Sequence, residues 1–214
     1  MRIIGGRWRS RKIKWPQSGQ TRPITDRVKS ALFDILGSYY DTPGGLPEIQ
    51  VADVFAGGGS IGLEASSRGA ARVVFYEQDR RAVAILKGNM EQLEMGADGV
   101  IVASNLWRKG ITIPNGLPRH DLIMLDPPFP VTADLSPSSR MGVLLQRLRQ
   151  NDVVNSDALL VFRHELSVEV SGELPGEWNL IDQRTYGRNV LSLLRAYVGP
   201  EEPAWVEHLD SKVE

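Results

Sequence analysis

Apolar positions recur in two rhythms along this chain of 214 residues. Short unbroken apolar runs stand at "VADVF", "RVVFYE", "VIVA" and "LIML", and between them apolar residues return every third or fourth position. An unbroken run suits a strand buried on both faces, and the wider spacing suits a helix with one apolar side. The pattern therefore predicts strands over Val51 to Phe55, in "RVVFYEQD", in "GVIVASNL" and in "DLIMLDPPFP", with helices over Ile61 to Arg68 and in "DRRAVAILKGNMEQL". Upstream, Thr25 or Asp26 caps a predicted helix that keeps Val28, Ala31, Leu32, Ile35 and Leu36 on one side and stops at Gly37. Downstream, Leu144, Leu145 and Leu148 form a core-facing stripe at helical spacing. Strands that alternate with helices imply an α/β domain with a parallel sheet, whose ligands gather at the carboxyl ends of the strands.

The first strand runs into Gly57-Gly58-Gly59 and then into a helix. This arrangement brings backbone N–H groups to a ligand with little side-chain obstruction. Gly57, Gly59 and Gly62 satisfy the dinucleotide pattern GxGxxG, with Glu77 at the end of the next strand, so NAD is one candidate. Asp53, inside the strand ahead of the turn, is poorly suited to face a pyrophosphate. It complements the sulfonium and ammonium of S-adenosylmethionine, directly or through water, and Glu77 then takes the ribose hydroxyls. Alternatively, Asp53 is a structural residue that bonds loop amides.

The fourth run ends in Asp126-Pro127-Pro128-Phe129. Two successive prolines remove two backbone donors and stop a strand, so their stiffness calls for a reason. An exocyclic amine of a nucleobase is a weak nucleophile because its lone pair is delocalised into the ring. Asp126 and the carbonyl of Pro127 can accept its two hydrogens and favour a more tetrahedral nitrogen, with Pro128 fixing the carbonyl and Phe129 offering a face for the base.

Composition narrows the chemistry. There is no cysteine, which excludes disulfides, thiolate metal sites and a cysteine nucleophile. His120, His164 and His208 are far apart in sequence and predict no metal site. No apolar run is long enough to cross a bilayer, and a soluble, cytoplasmic protein is expected. The net charge of −1 hides an asymmetry: the first 30 residues carry nine cations against the single acid Asp26, a local +8. The tail from Glu201 is acidic instead and is expected to be poorly ordered. A basic segment on a neutral body suggests a polyanionic partner, although a solvated surface accounts for a charge run equally well. "RIIGGRWRSRKIKWP" reads as a β-hairpin or a pair of short strands around Gly5-Gly6 that ends at Pro16, with Trp8 and Trp15 placed to stack on unpaired bases or to cover the domain's flank.

Together, "RIIGGRWRSRKI", "DVFAGGGSIGLEASSRGA", "DPPF" and "TYGRNVLSLLRAY" resemble the bacterial RsmD family of small-subunit ribosomal RNA guanine-N2 methyltransferases, over about residues 2 to 198. The resemblance implies a class I methyltransferase fold, a mostly parallel seven-stranded sheet that ends in an antiparallel hairpin bent near Tyr186-Gly187. It implies an arm over residues 1–20 and a methyltransferase domain over 21–198, and the acidic tail over 199–214 lies beyond the resemblance. Implied contacts to S-adenosylmethionine come from Thr25, Asp53, Phe55, Gly57, Gly59, Glu77, Gln78, Ser104, Asn105, Leu106 and Asp126. Implied RNA contacts come from Arg7, Trp8, Arg9, Arg11, Lys12, Arg22 and Arg27, and the implied substrate is a guanosine presented to a monomeric enzyme in an assembling subunit with ribosomal proteins attached. An amine methyltransferase acting on adenine or cytosine, in DNA or another RNA, is the neighbouring alternative. The chain differs from the family pattern at Gly58, where a serine is usual, at Ser104, where an aspartate is usual, and at Arg163, where an acid is expected.

Overall fold

The computed structural model describes residues 1–16 and 24–196. Arg22 and the acidic tail lie outside the described residues. The chain enters helix α1 (Asp26–Tyr39), then alternates β1 (Gln50–Val54), α2 (Ser60–Ser67), β2 (Arg72–Glu77), α3 (Arg80–Gln92) and β3 (Gly99–Ala103). It continues through α4 (Leu106–Lys109), β4 (His120–Leu125), α5 (Arg140–Gln150), β5 (Val154–Glu165), β6 (Glu173–Leu174), β7 (Trp178–Tyr186) and β8 (Asn189–Ala196).

The strands form one sheet in the order β3-β2-β1-β4-β5-β8-β7-β6. The pairs among β3, β2, β1, β4 and β5 are parallel, and those from β5 through β6 are antiparallel. The expected mixed sheet with its terminal hairpin is thus observed, and Gly187 in the β7–β8 turn has a φ of +62°. In place of seven strands there are eight among the described residues, because the two-residue β6 adds an edge pairing to β7. A reversal through Pro175, Gly176 and Glu177, the last two at positive φ, makes that pairing.

Alternate strand residues feed two cores. Val51, Val73, Phe75, Leu122 and Met124 pack with α1 and α2, whereas Ala52, Val74, Tyr76, Ile123 and Leu125 pack with α5. Burial on both faces explains the unbroken apolar runs.

Three local readings are corrected. Helix α1 runs through Gly37 to Tyr39, and a side chain at Gly37 would stand 3.0 Å from the Thr42 carbonyl. The glycine permits loop packing there and does not end the helix. Phe55 lies beyond β1, in the left-handed region at φ +66°. Among the described residues, the N-terminal segment has a single antiparallel bridge, Arg2 to Lys12, around a 3₁₀ turn at Gly6–Trp8, where a hairpin or a pair of short strands around Gly5-Gly6 was expected. Those glycines serve close approach to α2: a Cβ on Gly6 would lie 1.8 Å from the Ser67 carbonyl oxygen. Ile3, Trp8 and Ile13 are buried in the same core as α1 and α2, so the arm is continuous with the domain.

Candidate active site

Strand order reverses between β1 and β4, which pair side by side and feed α2 and the Asp126 loop respectively. Such a switch point opens a crevice at the carboxyl edge of the sheet. Register brings the loops together: Val54 aligns with Tyr76 on one side and Leu125 on the other. The Asp126 N–H donates to the Val54 carbonyl at 3.2 Å. Asp53, the glycine turn, Glu77, Ser104 and Asp126 therefore share one edge.

Each acid there is held differently. Asp53 is 1% exposed, and its Oδ2 accepts the Gly62 N–H at 2.8 Å. Burial pushes its pKa up to about 7, against the Gly62 hydrogen bond, and the charges of Asp126 and Glu77 push the same way as burial. Asp53 thus bonds helix backbone from beneath the turn, an amide of α2 and not of the loop. Glu77 Oε2 accepts the Gly57 N–H and Oε1 accepts the N–H groups of Gln78 and Asp79, each at 2.8 Å. Three donors lock the Glu77 carboxylate at the end of β2.

Among the described residues the Asp126 carboxylate, like that of Asp53, takes a single hydrogen bond, but unlike Asp53 it keeps an opening to solvent. Its Oδ1 takes one charged hydrogen bond, from Arg163 Nε at 2.6 Å, and its side chain remains 15% exposed. Burial raises its pKa and the Arg163 guanidinium opposes that rise. Among the described residues, Oδ2 accepts no hydrogen bond. The Pro127 carbonyl likewise has no donor there, whereas those of Pro128 and Phe129 are taken by Val131 N–H and Thr132 Oγ1–H. Phe129 lies half-buried beneath the Arg163 guanidinium, 4.9 Å from its ring centre.

Around these acids, Phe55 stacks at 4.9 Å on Trp107 of α4, and its positive φ marks a conformation that a bulky residue rarely adopts. Asn105 caps α4 by accepting the Arg108 N–H, Leu106 is buried, and the Ser104 N–H donates to the Glu77 carbonyl. Thr25 caps α1, and Lys29, one turn on, reaches Ser60 at the start of α2, so α1 begins beside the glycine turn.

Among the described residues, the arm meets this edge through Lys14, Trp15 and Pro16. Trp15 lies against the glycine turn, where a Cβ on Gly57 would be 3.1 Å from its indole. Arg7 donates to Ser66 near the end of α2, and Arg11 to the Gln92 carbonyl at the end of α3. Both helices run back from the carboxyl edge, so Arg7 and Arg11 sit toward the amino edge, away from Asp126. Arg9, Lys12 and Arg27 are exposed. Trp8 is 8% exposed and packs in the core, which removes it as a stacking platform. Its backbone N–H donates to Ser67 Oγ at 2.9 Å, which fixes this part of the arm on α2.

The family described as "Conserved hypothetical protein 95" matches residues 1–195. The chain belongs to this family, the RsmD family. The Escherichia coli K12 relative, ribosomal RNA small subunit methyltransferase D, is 33% identical over 191 residues, spanning 88% of this chain and 86% of the relative. The Haemophilus influenzae protein of the same name is 32% identical over 187 residues, 87% of this chain and 89% of its own length. A solved hypothetical protein of Thermus thermophilus superposes with a TM-score of 0.67 at 29% identity, covering 90% of this chain and 98% of that one.

In this RsmD-family chain, sequence reading missed Trp107, the Asp126–Arg163 pair and the anchoring of the arm. Glu64 accepts Ile4 N–H, Gly5 N–H, Lys29 and Arg68, all within 3.1 Å. Asn89 clasps Lys14 through both its backbone groups and donates to the Gly58 carbonyl. The signal for the Glu64 cluster was present: Lys29 shares the apolar face of α1 with Leu32 and Leu36, where a lone cation needs a buried partner.

Proposed function

We propose that this protein transfers a methyl group from S-adenosylmethionine to the exocyclic N2 amine of one guanosine in small-subunit ribosomal RNA. The observation that carries this reading is the pair of acceptors without partners among the described residues at the end of β4, Asp126 Oδ2 and the Pro127 carbonyl, beside the ring of Phe129. Buried polar groups are normally satisfied, so acceptors left open in a crevice suit the two hydrogens of an amine. Asp126 and Pro127 draw those hydrogens to one side, the nitrogen lone pair turns to the other, and the stiff Pro127-Pro128 pair fixes the direction. Phe129 supplies the stacking face.

The residues present fit the cofactor. Asp53, Glu77 and Asp126 interact electrostatically at one edge, which disfavours the added charge of a pyrophosphate and favours a sulfonium and an ammonium. Glu77 takes the ribose hydroxyls, Ser104, Asn105 and Leu106 lie on the adenine side with Phe55, and Gly57 and Gly59 keep the turn open. Gln78 follows Glu77, and Thr25 begins α1 at the methionine side. When bound, the cofactor supplies an electrophilic methyl group on sulfur. No covalent enzyme intermediate is required.

The guanosine and the ribosomal RNA follow from the family and from the names of its relatives. Arg7, Arg9, Arg11, Lys12 and Arg27 then hold RNA phosphates on a path that extends from the carboxyl edge toward the amino edge. The enzyme acts in the cytoplasm as a monomer, on an assembling subunit that carries ribosomal proteins. Among the described residues, no helix is long and apolar enough to cross a membrane.

The test is transfer of labelled methyl to small subunits from cells lacking this protein, followed by nucleoside analysis. N2-methylguanosine at one position is the expected product. Labelled adenosine or cytidine would retain the amine chemistry and overturn the substrate.

A further inference from the structure

Arg163 stands on β5 where the family pattern leads one to expect an acid, and its surroundings show what it does here. Among the described residues the guanidinium holds three groups at the mouth of the crevice: Nε donates to Asp126 Oδ1 at 2.6 Å, Nη1 donates to Asn189 Oδ1 at 2.8 Å, and the plane covers Phe129. Its side chain is 8% exposed. Asn189 opens β8 and lies beside the turn of the terminal hairpin. One group thus ties the acid of the Asp126-Pro127-Pro128-Phe129 segment, its aromatic ring and the hairpin together.

We propose that Arg163 is a positioning residue for methyl transfer, holding Asp126 by Oδ1 so that Oδ2 alone faces the amine and keeping Phe129 parallel to the incoming base. The proposal rests on the reading of Asp126 as the amine acceptor. The geometry follows from guanidinium chemistry. A planar fork satisfies a carboxylate, an amide oxygen and an aromatic face at once, whereas an ammonium is a point charge on a flexible stem. Fixing one oxygen of a carboxylate removes its freedom to rotate, and misplacement at a reacting centre is costly in rate. Among the described residues, the charges that face Asp126 are Arg163 from β5 and Asp53 from β1. Arg163 supports the ionised carboxylate, and Asp53 when charged works against it.

The experiment compares Arg163→Gln, Arg163→Lys and Asn189→Ala in steady-state methyl transfer to small subunits across pH, with calorimetric binding of S-adenosylmethionine as a separate readout. Arg163→Gln is expected to leave cofactor affinity unchanged and to lower kcat about 10- to 100-fold. Its acid limb of activity should also move upward by about one pH unit or more, because the carboxylate has lost its cation. Arg163→Lys should restore the limb without restoring kcat, since it returns charge but not the fork. Asn189→Ala loosens the guanidinium without removing charge, so kcat should fall while the limb stays in place. This variant carries the test if Arg163→Gln fails to bind cofactor.

Unchanged kcat and limb in these variants would overturn the proposal. A rise in kcat would do so too, because the guanidinium would then be blocking the carboxylate. Asp126→Ala separates the two levels. If it retains full transfer, the acceptor reading itself fails. If it loses transfer while the Arg163 variants behave as wild type, only the present proposal fails.

Discussion

Glu64 and Asp126 are both carboxylates withdrawn from solvent beside an arginine, and they have opposite fates. Glu64 is 0% exposed and accepts from two backbone N–H groups, a lysine and an arginine. Asp126 is 15% exposed and accepts from one arginine, through one oxygen. Saturation is what separates them. A carboxylate whose lone pairs are all taken is a structural pin, here fastening the N-terminal arm and α1 to α2. One left half-used and partly open at a sheet's carboxyl edge is, on the function proposed above, the acceptor for the substrate amine. Exposure alone would not have divided the two, since both are largely covered.

The largest expected effect tests the saturated member. Glu64→Ala leaves the wholly buried Lys29 without its anion, and Lys29 already has its pKa lowered by burial. Breaking such a pair costs about 3–5 kcal/mol. A urea melt should show that loss, and an unshifted midpoint would mean that the arm's clamp adds nothing. Asp126→Ala should instead lower methyl transfer by about 10²–10³-fold, the range for removing one preorganised electrostatic contact. Cofactor affinity, measured by calorimetry, should fall far less than transfer, and an equal fall in both would place Asp126 mainly in the cofactor pocket.

Asp53 sharpens the contrast as an intermediate case, buried like Glu64 and coupled to Asp126. With a folded-state pKa of about 7, it is largely protonated at pH 6. Since this value lies above that of the unfolded chain, its contribution to stability is complete below the unfolded pKa and is lost as pH rises toward 7. A cationic ligand favours the ionised form, so affinity for S-adenosylmethionine should rise between pH 6 and pH 8, by at most about tenfold per unit. Asp53→Asn should flatten that dependence in a calorimetric titration. The smallest effect belongs to the arm's surface. Removing the charges of Arg7, Arg9 and Arg11 together should weaken RNA binding and reduce its salt slope by about 2, with the fold unaffected. An unchanged slope would show that RNA does not reach the amino edge.

Much of this division could be read from the chain. The unbroken runs that became β1 to β4 are legible because strands covered on both faces admit little but apolar residues. The glycine turn and the Asp126 segment stand out because their residue types violate the strand pattern at its ends. The arm misled for the opposite reason. Gly5-Gly6 and Trp8 look the same in a hairpin that stacks on bases as in a segment pressed onto α2, and only Ser67 and Glu64, some sixty residues away, distinguish the two. Arg163 was visible as a departure, but its partner lay 37 positions earlier, just past the end of another strand.

By itself, then, the sequence determined which segments become β1 to β4 and the helices between them, and it placed a glycine turn, several carboxylates and a stiff Asp-Pro-Pro-Phe segment at the carboxyl ends of those strands. These are local properties, written in periodicity and in residues too costly to place without a purpose. Tertiary structure alone decided which acids are saturated, which indole is buried, and which arginine holds Asp126. Hydrogen-bond partners across a sheet are set by register and packing between distant segments, and no local pattern encodes them.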